Sequence, residues 1–285
     1  MSTSYAEVIG DPIAHSKSPT IHNFWLEKIG RASCYRKMHV TAEALEEYIA
    51  SRRQDPDWRG CNITMPHKQA FIPMIDRLEP LAKRVGAVNT AYRAEDGALI
   101  GRNTDVPGFL EPLKEELSQK HYFRMARVIG TGGAARAIVA GLAQHGFTIV
   151  LAGRNPGKAR TILDELAPDG EHHAVHLDHF SEPTEFAFDD REGCFDLVVN
   201  ASPLGMRGQS ELAFDWSHSP PGAIAYDIVT DPIETIFLKN ACAAGHRTID
   251  GYEMLISQAA AAFSKFFGVE APREHDNELR EILSK

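Results

Sequence analysis

The chain has 285 residues, which is long for a single hydrophobic core and predicts two domains with a cleft between them. Its composition is 43% apolar and 24% charged, as in ordinary globular proteins, and no apolar run is long enough to cross a membrane. The formal net charge of −9 makes a nucleic-acid backbone an unfavourable partner. The N-terminal segment lacks the basic start and apolar middle of a signal peptide, so we expect a cytoplasmic protein.

The first hundred residues alternate short apolar runs with helical stretches. AEVIG, CYRKMHV and the run that ends near Asn62 are predicted strands, and SPTIHNFWLEKIG and AEALEEYIASRR are the helices between them. Pro19 and Gly30 lie where the boundaries of the first helix favour them. Residues 87–105 predict two strands joined by a tight turn at Asp96 and Gly97. Whether Asn89 and Asp105 meet depends on the strand register, which sequence does not settle.

Three polar stretches fall where strands of this half should end: CNITMPHK (61–68), GAVNT (86–90) and GRNTD (101–105). In open α/β sheets, ligands bind outside the carboxyl ends of strands, so hydroxyls, amides, an ammonium and a carboxylate gathered there suggest a small polyhydroxylated substrate. The alternative is that these residues are turn and cap residues, which Asn, Thr and Asp often are. Three such stretches in sequence favour the substrate site. The residues concerned are Asn62, Thr64, Lys68, Asn89, Thr90, Asn103, Thr104 and Asp105.

From residue 106 a helix, GFLEPLKEELSQK, leads into a second alternating unit. Its predicted strands are RMARVIG, TIVLAG, AVHL, DLVVN and AIAYDI, and they indicate a doubly wound parallel sheet. EPTEFAFDDREG (182–193) is the expected exposed loop, and a long Ala-rich helix covers 252–267. We therefore predict an α/β protein of two lobes. A substrate-binding and catalytic domain spans 1–105, joined by C-terminal helices at 252–285, and a Rossmann-type cofactor domain spans 106–251.

A glycine-rich loop follows the strand that ends at Ile129, and a helix follows the loop. The segment Gly130-Thr131-Gly132-Gly133-Ala134-Ala135 fits G-x-G-x-x-[GA] in the strand–turn–helix context that this fingerprint needs. Glycines permit a tight turn, and the helix N-terminus offers free N–H groups to a pyrophosphate. The alternative is a glycine-rich turn without a ligand. We assign dinucleotide binding to Gly130, Gly132, Gly133 and Ala134.

The next strand indicates which dinucleotide is bound. A site for NAD usually has Asp or Glu at the tip of this strand, whereas a site for NADP has cations there. This strand ends LAGRNPGKAR, with no carboxylate and with Arg154 and Lys158 beside Asn155, the expected N-cap residue, and Pro156. We therefore predict NADP, with solvated surface charges as the alternative interpretation of the two cations.

Taken together, the motifs resemble the shikimate dehydrogenase family nearly from end to end. The stretches that carry the resemblance are DPIAHSKSP (11–19), NITMPHK, GAVNT, GRNTD, GTGGAARA, NASPLGM (200–206), DIVTDPIET (227–235) and DGYEMLISQAA (250–260). The resemblance implies reversible hydride transfer between NADPH and 3-dehydroshikimate, which gives shikimate on the route to aromatic amino acids. It also implies a monomer or a homodimer.

The resemblance further implies a role for individual residues. Lys68 corresponds to the family's catalytic lysine and Asp105 to its partner. Ser16 and Ser18 correspond to hydroxyls that bind the substrate carboxylate. Other substrate or pocket positions are Thr64, Asn89, Asn103 and Gln258. Further cofactor positions are Ser202, Met206 and Gly251.

Two histidines near these motifs are predicted to have no catalytic role. His15 is expected in loop structure and His67 at the surface, since the resemblance gives the proton role to Lys68. The thirteen histidines and four cysteines show no metal-ligand spacing, so no metal is expected.

Departures from the family pattern keep alternatives open. Thr230 stands where the family commonly has tyrosine, and Gly153 and Asn155 replace its usual Asn and Thr. A paralogous dehydrogenase acting on quinate or a related acid with NAD or NADP is therefore a rival. A ligand sensor without turnover is a rival from another class, although it has little need for both Lys68 and Asp105.

Overall fold

The computed structural model describes residues 3–188 and 192–285. The chain divides into two compact units. Unit 1 comprises the chain up to Gly108 together with Ile256–Lys285, and unit 2 comprises Phe109–Leu255. The predicted assignment of substrate to 1–105 with 252–285, and of cofactor to 106–251, stays a prediction.

Unit 1 contains one mixed six-stranded sheet. Its strand order is β2-β1-β3-β5-β6-β4. The first three strands along the chain are parallel to one another, and the β5–β6 hairpin is antiparallel, as its Asp96-Gly97 turn predicted. The strands are β1 (Tyr5–Gly10), β2 (Cys34–His39), β3 (Trp58–Ile63), β4 (Arg77–Leu78), β5 (Thr90–Arg93) and β6 (Leu99–Arg102).

The helices of unit 1 match the apolar pattern of the sequence. Within the described residues they are α1 (Ser18–Lys28), α2 (Leu45–Gln54), α3 (Pro80–Val85), α4 (Asp105–Leu110), which runs past the end of this unit, and a terminal helix Asp276–Leu283. Pro19 lies in the first turn of α1, and Gly30 takes a left-handed φ of 62° just after it, so both predicted boundaries are confirmed. Trp58 and Phe71 are fully buried in a core beside β1 and α2.

Unit 2 contains an all-parallel sheet of six strands in the order β12-β11-β10-β7-β8-β9. Read from the first strand of this unit, that is the 3-2-1-4-5-6 order of a Rossmann fold. The predicted α/β class with a doubly wound second sheet is therefore confirmed. The strands are β7 (Phe123–Ile129), β8 (Thr148–Gly153), β9 (His173–His176), β10 (Cys194–Asn200), β11 (Ile224–Asp227) and β12 (Arg247–Ile249).

The helices of unit 2 differ from the sequence prediction at one place. The single helix expected from residue 106 is broken by a 3₁₀ turn, Glu111–Leu113, because Pro112 has no N–H and its ring obstructs an α-helix. The helices after α4 are α5 (Lys114–Ser118), α6 (Gly133–Gln144), α7 (Pro156–Leu166), α8 (Ile236–Ala243), α9 (Gly251–Phe267), which continues into unit 1, and α10, the terminal helix already placed there.

The predicted exposed loop and the length of the helices can also be compared with the structure. Of the expected loop at 182–193, residues 189–191 lie outside the described residues, and 182–188 form neither helix nor strand. Among the helices of the described chain, none is both long and apolar enough to cross a membrane.

Candidate active site

Strand register brings the three polar stretches of unit 1 to one edge of its sheet. β1 and β3 are parallel, with Ile9 opposite Ile63, so their carboxyl ends coincide. β5 runs antiparallel to β3 and β6, and Thr90 lies opposite both Asn62 and Arg102. The residues that follow β3, precede β5 and follow β6 therefore share this edge. The structure thus gives the register of the β5–β6 hairpin, which the sequence left open.

Lys68 and Asp105 form an ion pair at this edge. The Lys68 Nζ donates to Asp105 Oδ2 at 2.6 Å, and the two side chains are 18% and 7% exposed. Asn89 Nδ2 donates to the other carboxylate oxygen, Oδ1, at 2.8 Å. Asn89 and Asp105 thus do meet. Asp105 is the first residue of α4, where a negative charge is favourable.

The turn that carries Lys68 is anchored by its neighbour. His67 is 1% exposed, and its Nε2 lies 2.7 Å from the carbonyl oxygen of Val40. The expectation of His67 at the surface is therefore wrong, since its ring reaches back into unit 1 and ties the turn to the chain after β2. His15 is exposed in a turn, as expected. Lys68 lies within turns rather than at a helix start.

Asn103, Thr104 and Gln258 extend the hydrogen-bond network beside Asn89 and Asp105. The Asn103 Oδ1 accepts from the backbone N–H groups of Asp105 at 3.1 Å and Val106 at 3.2 Å, while its Nδ2 donates to the carbonyl of Ala87 at 3.1 Å. Thr104 accepts a 2.9 Å hydrogen bond from Asn89 and lies 3.4 Å from Gln258 Oε1. Asn103 is therefore engaged at both ends of its amide and holds the start of α4.

Ser16, Ser18 and Thr64 follow the two parallel strands at the same edge. Ser18 opens α1 and its N–H donates to Ser16 Oγ at 3.3 Å. The Thr64 N–H donates to the carbonyl of Ile9, and a Cβ at Gly10 would lie 2.5 Å from Thr64 Cγ2. Among the described residues, no hydrogen bond joins these three side chains to the Lys68–Asp105 pair.

In unit 2 the glycine-rich loop has the backbone that the motif requires. Gly130 has a φ of +122°, and a Cβ there would lie 2.6 Å from the carbonyl oxygen of Ala201. Gly132, by contrast, meets nothing within 4 Å where its Cβ would be. Gly133 and Ala134 open α6, whose first turn has no side-chain cap. An open space beside uncapped N–H groups fits a dinucleotide pyrophosphate.

The tip of β8 presents the two predicted cations. Arg154 and Lys158 are exposed, while Asn155 caps α7 by accepting from the Lys158 N–H at 3.2 Å, as predicted. A Cβ at Gly153 would lie 2.7 Å from Thr131 Cγ2, so the side chain of Thr131 accounts for the glycine in this position. In the part of the chain that the structure describes, two exposed cations and no carboxylate lie at this strand tip, which fits the 2′-phosphate of NADP.

The loop after β10 is held by a buried hydrogen-bond network. Asp227 is fully buried and accepts from Asn200 Nδ2 at 3.0 Å and from the Thr235 hydroxyl at 2.7 Å. Burial raises the pKa of Asp227 above its usual value. The Ser202 hydroxyl donates to Asn200 Oδ1 at 2.7 Å, so Ser202 is used to shape the loop. Met206, at its end, is 43% exposed.

Gly251 is the last of the predicted cofactor residues. A Cβ at this position would lie 2.2 Å from the carbonyl oxygen of Val229, so the residue is needed for a close backbone approach inside unit 2. Among the described residues, no three His, Cys, Asp or Glu side chains gather as metal ligands.

Comparison with known proteins places these features in a family. Residues 8–91 match the shikimate dehydrogenase substrate-binding domain, and residues 251–278 match the shikimate 5'-dehydrogenase C-terminal domain. A shikimate dehydrogenase (NADP⁺) of Sphingopyxis alaskensis is 46% identical, and the alignment covers 99% of this chain and 97% of the relative. The chain belongs to the shikimate dehydrogenase family.

Solved structures of the shikimate dehydrogenase family share the fold along the whole chain. A Thermus thermophilus shikimate 5-dehydrogenase in complex with NADP(H) and shikimate is 33% identical with a TM-score of 0.82, covering 99% of this chain and 100% of that one. A Corynebacterium glutamicum quinate dehydrogenase in complex with NAD is 28% identical with a TM-score of 0.78, covering 98% and 99%.

The sequence did not predict the contact of Tyr35, which lies near the start of β2, away from this edge, and reaches the end of β3 only through its side chain. Tyr35 on β2 is 2% exposed, and its hydroxyl donates to Asn62 Oδ1 at 2.6 Å. A lone tyrosine in a short strand, 27 positions from its partner, carries no sequence signal of this contact.

Proposed function

We propose that this protein is an NADP-dependent shikimate dehydrogenase, which reversibly reduces 3-dehydroshikimate to shikimate. The observation that carries this is the 2.6 Å pair of Lys68 and Asp105, placed by strand register beside Asn89. The similarity to NADP-dependent shikimate dehydrogenases along nearly the whole chain supports the same reaction.

Lys68 supplies the proton. Reduction of a ketone places negative charge on the oxygen as the carbon accepts a hydride, and an ammonium group beside that oxygen stabilises the charge and donates the proton. Asp105 accepts one hydrogen of the ammonium and leaves two for a ligand. NADPH supplies the hydride when bound. The new C–H bond comes from the cofactor and the new O–H bond from Lys68.

The remaining polar residues of unit 1 recognise the substrate. Ser16 and Ser18 hold its carboxylate through neutral hydroxyl donors at the start of α1. Thr64 and Gln258 contact its ring hydroxyls. Asn89 and Asn103 shape the pocket, because both amide hydrogens of Asn89 and one of Asn103 are directed at protein acceptors. Their main role is to hold Asp105 in place.

Unit 2 holds NADP. The N–H groups at the start of α6 bind the pyrophosphate beside Gly132, and Gly130 lets the loop approach the chain after β10. Arg154 and Lys158 bind the 2′-phosphate. Asn155 contacts the 2′-phosphate while its side-chain oxygen continues to cap α7. Ser202, Met206 and Gly251 shape the part of the site that receives the nicotinamide.

A second candidate is a quinate dehydrogenase that uses NAD or NADP. Thr230 replaces the aromatic hydroxyl that the family commonly has after β11, and a quinate dehydrogenase in complex with NAD has the same fold. It differs from the first candidate in substrate and cofactor and uses the same Lys68 and Asp105. A ligand sensor without turnover has no use for this pair.

Initial rates with four combinations test the proposal. Shikimate and quinate are each supplied with NADP⁺ and with NAD⁺, and reduced nicotinamide is followed by absorbance. We expect the highest kcat/KM with shikimate and NADP⁺. Activity confined to quinate or to NAD⁺ supports the second candidate, and no activity in any combination supports the sensor.

A variant of the cofactor site sharpens this test. Arg154→Ala raises the KM for NADP⁺ by about tenfold, because a charge-assisted phosphate contact is lost, and leaves the KM for NAD⁺ unchanged. Arg160→Ala is the control, since Arg160 is a similarly exposed arginine on α7 that pairs with Asp164. A cytoplasmic location and a monomeric or homodimeric state stay predictions, the latter testable by sedimentation equilibrium.

A further inference from the structure

A chain of buried hydrogen bonds leads from β2 to the catalytic pair in unit 1. It begins at Tyr35, whose hydroxyl donates to Asn62 Oδ1 at 2.6 Å. Asn62 Nδ2 then donates to Thr90 Oγ1 at 3.0 Å and to the Asn89 carbonyl at 3.2 Å. Tyr35, Asn62 and Thr90 are 2%, 7% and 0% exposed, so these groups depend on one another rather than on water.

The donors and acceptors along this chain follow one consistent order from Tyr35 to Asn89. Because Tyr35 donates to the oxygen of Asn62, the nitrogen of Asn62 faces Thr90 and both its hydrogens are used. Thr90 accepts one of them, and its own hydrogen is directed at Asn89 Oδ1 at 3.2 Å, which is closer than Thr104 Oγ1 at 3.4 Å. The oxygen end of the Asn89 amide therefore faces Thr90.

The last step reaches the carboxylate. With its oxygen turned to Thr90 and to the Thr104 N–H at 2.7 Å, Asn89 directs its nitrogen at Asp105 Oδ1 at 2.8 Å. A carboxylate held this way presents its other oxygen, Oδ2, to Lys68. In the reverse amide order, two oxygens would face each other at Asp105, which is unfavourable in a buried site.

We propose that Tyr35 is a positioning residue for the reaction, acting through Asn62, Thr90 and Asn89 to orient the Asp105 carboxylate that holds Lys68. This inference rests on the proposed function. The ring of Tyr35 contributes to packing independently of the hydroxyl, since it stacks on His22 with centroids 4.0 Å apart. Burial keeps the pKa of the Tyr35 hydroxyl well above its usual value, so it remains a donor throughout the working pH range.

Tyr35→Phe tests the hydroxyl alone, because the stacked ring is kept. Deleting it leaves Asn62 Oδ1 buried without this donor, and we expect kcat for shikimate oxidation to fall about tenfold. The KM for NADP⁺ should change less than twofold, since the cofactor residues belong to unit 2. Thr90→Val, which removes the next hydroxyl at similar volume, should lower kcat by a similar factor and tests the same chain even if Tyr35→Phe does not fold.

The double variant separates positioning from general destabilisation. If Tyr35 acts through Thr90, Tyr35→Phe has little further effect on kcat in a Thr90→Val background. Tyr48→Phe is the matched control: Tyr48 is also buried, at 7% exposure, but its hydroxyl donates to Glu7 Oε2, which has no part in the chain to Asp105. This variant should keep kcat within twofold.

Each result decides between the two proposals. A wild-type protein inactive on shikimate with NADP⁺ would overturn the proposed function and this inference with it. With an active wild type, unchanged kcat in Tyr35→Phe, or losses that multiply independently in the double variant, would overturn the role of Tyr35 alone.

Discussion

The Lys68–Asp105 pair shows how two charges are retained in a mostly buried place. Each charge compensates the other, and Asn89 adds a neutral donor to the carboxylate. Removing either partner leaves the other charge uncompensated, so single substitutions here are costly beyond the loss of chemistry. The lysine side chain keeps 18% of its surface exposed and the aspartate side chain 7%.

His22 gives a pH dependence to the stability of the protein. Its ring is fully buried among Trp25, Tyr35 and Phe263, and neither ring nitrogen has a hydrogen-bond partner. Burial lowers the pKa of His22 to about 3. The unfolded chain binds this proton near pH 6.5 and the folded chain does not, so stability is present above that pH and is lost as pH falls towards 3.

We expect this histidine alone to lower the free energy of unfolding by about 2 kcal/mol between pH 7 and pH 5. The measurement is urea unfolding at both pH values, followed by tryptophan fluorescence. In His22→Phe the loss on acidification should be smaller by that amount, whatever the absolute stability. The exposed His173→Phe is the control. An equal pH dependence in wild type and His22→Phe would contradict the burial of a neutral imidazole.

Most residues that the structure brings together in the candidate site were already candidates from the sequence. Lys68, Asn89 and Asp105 follow or precede strands, and strand ends can be recognised from apolar runs. The burial of His67 depends on the carbonyl of Val40, a contact between segments far apart in the chain. Tyr35 is likewise joined to Asn62 by a tertiary contact, which no local pattern encodes.

At the scale of elements, the end of β8 and the glycine-rich loop are matched to each other. The side chain of Thr131 fills the space that a Cβ at Gly153 would need, at 2.7 Å. Gly153→Ala should destabilise the protein by about 1 kcal/mol, because Thr131 must leave its preferred rotamer or shift. Adding Thr131→Ala should remove this cost. Urea midpoints of the two single variants and the double variant measure it.

The outcome that would contradict this explanation is a Gly153→Ala cost that does not depend on residue 131. If Gly153→Ala is as destabilising beside Ala at 131 as beside Thr, the contact does not explain the glycine. KM values for NADP⁺ in the same variants show whether the loop keeps its function.

The strands were predictable where they were long enough to show a pattern. The predicted strands of unit 2 follow from apolar runs, while β12 has three residues and β4 in unit 1 has two, too few for a period to be seen. The helix predicted from residue 106 was broken at Pro112. The sequence did not settle the hairpin register, which the structure shows with Thr90 opposite both Arg102 and Asn62.

At the scale of the whole molecule, the proposed substrate residues and the proposed cofactor residues belong to different units. The proposed substrate residues lie in unit 1, including Gln258, which returns to it on α9, and the proposed cofactor residues lie in unit 2. A net charge of −9 repels anionic ligands in general. In the proposed function, local groups offset this repulsion: backbone N–H groups at α6, the two cations after β8, and the Ser16 and Ser18 hydroxyls.

The measurement that tests the account most directly is shikimate binding and turnover in Lys68→Ala. We predict that the variant binds shikimate in calorimetry but loses at least about a hundredfold in kcat with NADP⁺, because the proton donor and charge stabiliser are gone. Lys83→Ala, an exposed lysine of α3 in the same unit, should behave as wild type. Unchanged turnover in Lys68→Ala would remove Lys68 from the mechanism and contradict the account.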